Sequence, residues 1–301
     1  MSELTGFIGL GHMGGALARR LMAAGHSLIV HDRNPQACRE FAADGARVAQ
    51  SPRAIADLAP VVFLCLPSIE ASREVAGGLA GGGALQVLVE TSTVGPAAVR
   101  ELASLMAAYN VAVVDAPVSG GPRGAQAGTL SLMHAGSKDA LARALPQLSA
   151  IAAHRFDVGT EPGLAQVCKL VNNAISAAGM VAACEATVLG VKAGLDAGTL
   201  LAAINAGSGR NAATLDKFPQ AILTGSFDYG GPLGLMLKDL SLFIAEANAR
   251  GVPGVMAPAA LQAWQEAVRR SGFDADYSRL IRHLEIDAGV ELRTTPAAAP
   301  P

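Results

Sequence analysis

At 301 residues, 51% of them hydrophobic and 16% charged, the chain is long enough for two domains with a sizeable core and too apolar to stay disordered. A net charge of −2 with no Lys/Arg-rich run argues against nucleic acid or another polyanion as partner. Cys38, Cys65, Cys168 and Cys184 are scattered through apolar surroundings and the six histidines are equally dispersed, so neither a disulfide framework nor a metal site is expected.

Met1-Ser-Glu-Leu-Thr5 runs straight into a strand with no leader pattern, which predicts a cytoplasmic protein. Residues 6–10 read as a short buried strand. Residues 13–24 follow as a helix with Leu17, Leu21 and Met22 on one side, closed by Gly25, and 27–31 as a second strand. Further strands are predicted at 61–66, 87–90, 111–115 and 130–134, with helices at 69–80, 96–108 and 138–150. Such alternation predicts an α/β domain over residues 1–162, a doubly wound and mostly parallel sheet with helices on both faces.

Beyond this point the strand signal disappears. The run at 163–194 is apolar nearly all round and predicts a long interdomain helix, buried on several sides and in part against another subunit. Lys169, Asn172, Asn173, Glu185 and Lys192 interrupt it too often for a clean membrane span. Helical patterns at 197–206, 211–223, 234–250, 255–270 and 276–288 predict an all-α domain over 195–290. Residues 291–301 have little to bury and are expected to form a disordered tail.

Gly9-Leu-Gly11-His12-Met13-Gly14 is a G-x-G-x-x-G that follows a buried strand, opens a helix, and precedes a second strand ending at Asp32. The first glycine allows the tight turn, the second lets backbone approach a pyrophosphate, and the third packs helix on strand. The helix N-terminus then offers free N–H groups to the anion. A Rossmann-type dinucleotide site follows from this context. The Asp32 carboxylate suits the two ribose hydroxyls and repels a 2′-phosphate, whereas Arg33 beside it could pair with that phosphate or be a solvated turn residue. NAD is thus the preferred cofactor and NADP the alternative.

Asp115-Ala-Pro-Val-Ser119-Gly120-Gly121 leaves a strand for a glycine-rich loop. The amides of Ser119, Gly120 and Gly121 could form a donor nest for a carboxylate, or the segment is a tight turn only. On the long helix, Lys169 and Asn173 are i,i+4 neighbours. A lysine among Leu, Val, Cys and Ala either snorkels to solvent or is buried for acid–base work, for which desolvation prepares it.

Phe7-Ile-Gly-Leu-Gly-His-Met-Gly14, Asp115-Ala-Pro-Val-Ser-Gly-Gly121 with Gly124-Ala-Gln-Ala-Gly-Thr-Leu130, Lys169-Leu-Val-Asn-Asn173 and Lys238-Asp-Leu-Ser-Leu242 occur in this order. Together they resemble the β-hydroxyacid dehydrogenase family, of the 3-hydroxyisobutyrate dehydrogenase and tartronate semialdehyde reductase type, over about residues 4–290. The resemblance implies an NAD(P)-dependent oxidoreductase interconverting a short β-hydroxy acid and its semialdehyde. It makes Lys169 catalytic, gives Asn173 a part in holding substrate, and assigns the substrate carboxylate to Ser119, Gly120 and Gly121. Lys238 would lie beside the nicotinamide end, and Leu66, Pro67 and Thr93 would line the cofactor cleft. A homodimer or homotetramer is expected, with no membrane partner. Val30-His-Asp-Arg-Asn-Pro35 is similar to tartronate semialdehyde reductases, while Arg123, Arg210, Asn211 and residues 227–229 leave the substrate side chain open. Alternatives are an imine reductase-like enzyme, against which Lys169 and the Ser-Gly-Gly loop speak, and a non-catalytic dinucleotide-binding interaction protein.

Overall fold

A computed structural model describes residues 3–293, and its contacts divide the chain into two compact units between Lys169 and Leu170. The division falls inside the long helix and not at residue 162, so the first turns of that helix belong to the N-terminal unit.

In the N-terminal unit the strands are β1 (Thr5–Ile8), β2 (Leu28–His31), β3 (Arg47–Val48), β4 (Val61–Leu64), β5 (Val87–Glu90), β6 (Ala112–Asp115), β7 (Val118–Ser119), β8 (Ser131–Ala135) and β9 (His154–Gly159). The helices are α1 (His12–Ala23), α2 (Pro35–Ala43), α3 (Pro52–Ala56), α4 (Ile69–Leu79), α5 (Pro96–Ala107), α6 (Gly121–Ala127) and α7 (Lys138–Ile151). The sheet runs β3-β2-β1-β4-β5-β6-β8-β7, parallel from β3 to β6. This is the doubly wound order, with its reversal point between β1 and β4.

Strands β1, β4 and β5 are buried at every position, as parallel strands covered on both faces must be. Their side chains alternate between two cores. Phe7, Phe63 and Val89 face the layer of α1 and α7, and the Phe7 and Phe63 rings stack at 6.0 Å. Ile8, Val62, Leu64 and Leu88 face the layer of α3, α4 and α5.

Several features depart from the predicted pattern. The strand at 130–134 exists as β8 but runs antiparallel to β6, touching it at one register pair, Asp115 opposite Ala135. The sheet also gains β9, which no pattern announced because residues 154–157 are exposed and Phe156 is 51% accessible. Helices α2 and α3 were likewise unforeseen. Asn34 accepts from the Gln36 N–H and Ser51 from the Ala54 N–H, each followed by proline at the first helical position.

The helix α8 spans Leu164–Lys192, and by length and composition alone it is apolar enough to cross a membrane despite its polar interruptions. Packing says otherwise for much of it. In the C-terminal unit Ala174, Ala177, Met180, Cys184 and Val188 join a core with α9 (Ala197–Ala206), α10 (Leu233–Ala249), α11 (Met256–Ser271) and α12 (Leu280–Ala288). Trp264 sits at its centre and donates its indole N–H to the Ala177 carbonyl at 3.3 Å. The helix predicted at 211–223 is a wide-turn π-type helix, Ala213–Ile222, begun by Asn211, whose side-chain oxygen accepts from Ala213 N–H at 2.8 Å. Asn211 therefore has a structural task.

Burial of α8 is not uniform: Val171, Ile175 and Leu189 are 44%, 71% and 70% exposed. Residues 291–293 of the expected tail fall within the described residues. Leu292 is buried and donates its N–H to the Glu285 carboxylate at 2.8 Å, and Arg293 pairs with the same carboxylate at 2.9 Å. Residues 294–301 lie outside the described residues.

Candidate active site

The carboxyl ends of β1 and β4 part at the reversal point, where an α/β sheet binds its ligand. The three motif glycines have distinct reasons to be glycine. Gly9 has φ +95°, and a Cβ there would come within 2.2 Å of the Cys65 carbonyl oxygen. At Gly14 a Cβ would stand 2.0 Å from the Gly9 carbonyl oxygen. Gly11 meets no atom within 4 Å, so its missing side chain leaves open space ahead of α1. That helix has no side-chain cap and no acid in its first turn, so its N–H groups and dipole are available to an anion. His12 is exposed there, while Met13 is half-buried against the core. A pyrophosphate fits this cradle.

Asp32 holds the loop it serves. One carboxylate oxygen accepts the Leu10 N–H at 2.6 Å and the other the Asn34 N–H at 2.7 Å, leaving further lone pairs on a half-buried group. Arg33 is exposed and ion-paired with Glu74 of α4.

Beyond β4, the Leu66 N–H donates to Ser92 Oγ at 2.7 Å, with Leu66 half-buried and Pro67 exposed. Burial pushes the neighbouring Cys65 thiol up to about 12, which keeps it protonated and inert. Thr93 is half-buried in the loop after β5.

Two carboxylates lie side by side beneath this wall, because Glu90 and Asp115 are register partners. Burial raises Glu90 to about 7, against hydrogen bonds from Ser92, and raises Asp115 to about 6, against those from Gln166 and Gly163. Asp115 Oδ2 accepts the Gly163 and Gln166 N–H groups, both at 3.0 Å, and so caps α8.

Gln166 was missed by sequence reasoning and is fully buried. Its oxygen accepts the Val94 and Gly95 N–H groups at 3.0 Å each, and its amide nitrogen donates to the Ser92 carbonyl at 3.1 Å and Asp115 Oδ1 at 2.8 Å. All four of its hydrogen-bonding valences are filled. One turn along, Lys169 is 8% exposed, so the snorkelling alternative is excluded by its burial.

The Ser119, Gly120 and Gly121 segment is a turn built on two glycines with positive φ. Gly120 has φ +126°, and a Cβ there would meet Leu130 at 2.9 Å; Gly121 has φ +65° and nothing within 4 Å. No other residue type adopts this pair of conformations comfortably, and the open side at Gly121 admits a small anion to the backbone. Arg123 is exposed.

In the C-terminal unit, Asn173 is 7% exposed and donates its amide to Asp239 Oδ2 at 2.7 Å while accepting from the Asn172 amide at 3.0 Å. The Lys238 ammonium lies 3.0 Å from the other Asp239 oxygen. Asp239, unassigned in the sequence reading, thus joins Asn173 and Lys238; only its place beside Lys238 in the fourth motif could have drawn notice.

A family model described as the NAD binding domain of 6-phosphogluconate dehydrogenase matches residues 5–160, and another, the NAD-binding of NADP-dependent 3-hydroxyisobutyrate dehydrogenase, matches residues 163–284. A probable mitochondrial 3-hydroxyisobutyrate dehydrogenase of Dictyostelium discoideum is 36% identical over 92% of this chain and 89% of its own. The 2-(hydroxymethyl)glutarate dehydrogenase of Eubacterium barkeri is 33% identical over 95% and 96%. The structure of Mycobacterium tuberculosis 3-hydroxyisobutyrate dehydrogenase with L-serine superposes with a TM-score of 0.84 at 31% identity, covering 94% of this chain and 99% of that one. Motifs, sheet order and relatives agree: the chain belongs to the β-hydroxyacid dehydrogenase family, oxidoreductases that act on CH–OH groups with a nicotinamide dinucleotide.

Proposed function

We propose that this protein interconverts a short β-hydroxy acid and its semialdehyde, of the 3-hydroxyisobutyrate or tartronate semialdehyde/glycerate type, with Lys169 as general acid–base and NAD as the preferred dinucleotide. The observation that carries the reading is a nearly buried lysine on a helix whose start is pinned by Asp115 and Gln166. Relatives narrow the substrate class. 3-Hydroxyisobutyrate, 2-(hydroxymethyl)glutarate and L-serine, as named for those proteins, all contain a hydroxymethyl group on the carbon that bears a carboxylate. The shared part would be held by shared residues, and the third substituent distinguishes one substrate from another.

The backbone at Ser119, Gly120 and Gly121 binds the carboxylate, and Asn173, oriented by Asp239, holds the hydroxyl end. When bound, the nicotinamide supplies or accepts the hydride. Lys169 Nζ takes the hydroxyl proton during oxidation and returns it to the carbonyl oxygen during reduction, stabilising the charge that develops on that oxygen. NAD is favoured because Asp32 opposes a 2′-phosphate and the Arg33 guanidinium is engaged by Glu74.

Assays of 3-hydroxyisobutyrate, glycerate, serine, threonate and 4-hydroxybutyrate with both dinucleotides test the substrate class. Lys169→Ala tests the mechanism: turnover should fall by about 10²–10⁴ with dinucleotide affinity nearly intact. Lys169→Arg should fail almost as badly, because guanidinium keeps its proton. Retained turnover in Lys169→Ala would sink the assignment.

A further inference from the structure

We propose that Gln166 is a positioning residue that locks the α8 turn carrying Lys169 to the loop after β5, and thereby sets where the Lys169 ammonium meets the reacting oxygen. The inference rests on the acid–base role of Lys169 proposed above.

Four observations point this way. Gln166 is 0% exposed, a burial that a polar amide tolerates only because its hydrogen bonds are met. Its partners are 51–74 residues away in sequence and come from two different segments, the 92–95 loop and the end of β6. Both ends of the amide are used, so its rotamer is fixed and a flipped amide would face two N–H groups with its own donors. Lys169 follows within one turn of a helix whose first N–H groups are tied to Asp115, so a shift of this turn moves the lysine with it.

The consequence is geometric. The 92–95 loop carries Thr93, on the cofactor side of the cleft by family resemblance, and α8 carries the proton donor. Gln166, itself on α8, is the side chain that hydrogen-bonds that loop. A displacement of about 1 Å between groups that must meet at one substrate atom costs up to about 10²-fold in rate. The charged and titratable groups around it are Asp115 on β6, Glu90 on β5 through Ser92, Lys169 on α8 itself, and the Arg100 guanidinium of α5, which lies against Gly163.

Two variants test the proposal. In Gln166→Asn the amide keeps its chemistry but is withdrawn by one methylene. Its kcat should fall about 10- to 100-fold, dinucleotide Kd should stay within about threefold, and the solvent isotope effect on kcat should rise as proton transfer becomes slower. In Gln166→Glu the protonated acid can still accept from Val94 and Gly95 and donate to one oxygen. The carboxylate would instead face Asp115. The ratio of variant to wild-type kcat should therefore fall more than about tenfold between pH 6 and pH 9, measured on protein shown to be folded at both. Wild-type kcat in Gln166→Asn, or parallel pH profiles for Gln166→Glu and wild type, overturns the positioning role. Lys169→Ala separates the two ideas: if it abolishes turnover while the Gln166 variants behave as wild type, only the positioning role fails.

Discussion

Replacing Glu90 with glutamine should make folding stability less sensitive to pH between about 4.5 and 7. Glu90 is completely buried, and burial lifts its carboxyl from the ordinary 4.5 to about 7. Among the described residues its Oε2 has no well-formed hydrogen bond, and burial outweighs the support that Ser92 and Ser72 give the charged form. The fold therefore prefers the neutral acid. Below about pH 4.5 folded and unfolded chains both hold the proton. Between 4.5 and about 7 the unfolded chain releases it while the folded chain keeps it, so folding stability falls over this window and levels off above it. At 1.36 kcal/mol per pH unit, the loss attributable to Glu90 is about 3 kcal/mol. The neighbouring Asp115, raised to about 6, acts in the same direction at lower pH. Glu90→Gln keeps the shape and a donor without the titration. Urea denaturation of both proteins from pH 5 to pH 9 reads the contribution of Glu90 and its coupling to Asp115, because groups that do not interact with Glu90 cancel in the difference. The variant should gain about 3 kcal/mol over wild type across that range. Parallel curves for the two proteins would refute the buried neutral acid.

Asp32→Asn should narrow the preference for NAD over NADP by about 1–3 kcal/mol in kcat/KM ratio, and adding Glu74→Gln should narrow it further by releasing Arg33; a wild-type preference for NADPH would overturn the assignment. Asp239→Ala leaves a buried Asn173 amide without its acceptor and removes the ion pair to Lys238, so kcat/KM should drop about tenfold or more, with Asp239→Asn recovering part of it; equal values in steady-state kinetics would remove Asp239 from the site. The exposed Val171, Ile175 and Leu189 on α8 suit burial against a second copy, and solution scattering at micromolar concentration should report a dimer or tetramer where a monodisperse monomer would contradict it.

Local chemistry announced much of the site. The strand, glycine turn, helix and Asp32 are adjacent in sequence because one β-α-β unit builds the whole anion cradle, and each glycine answers to a backbone distance or to open space within that unit. Helical periodicity alone puts Lys169 and Asn173 on one face, whereas their roles were implied only by the family resemblance. The Asn-Pro and Ser-Pro signals for α2 and α3 were also present at residues 34–35 and 51–52, though their apolar faces are too short to show a period.

Tertiary structure decided the rest. Side-chain alternation records which face of a strand is buried but not the direction of its neighbour, so β8 looked like the parallel strands before it. Strand β9 carries almost no burial signal, since it is held by its backbone ladder to β8. Whether Lys169 snorkels or is enclosed depends on what packs over α8, and an apolar run of one helix cannot say. Gln166 and Asp239 belong to the same class. Their meaning lies in hydrogen bonds spanning 66 to 74 residues for their longest links, and only the folded chain brings those partners within 3.1 Å.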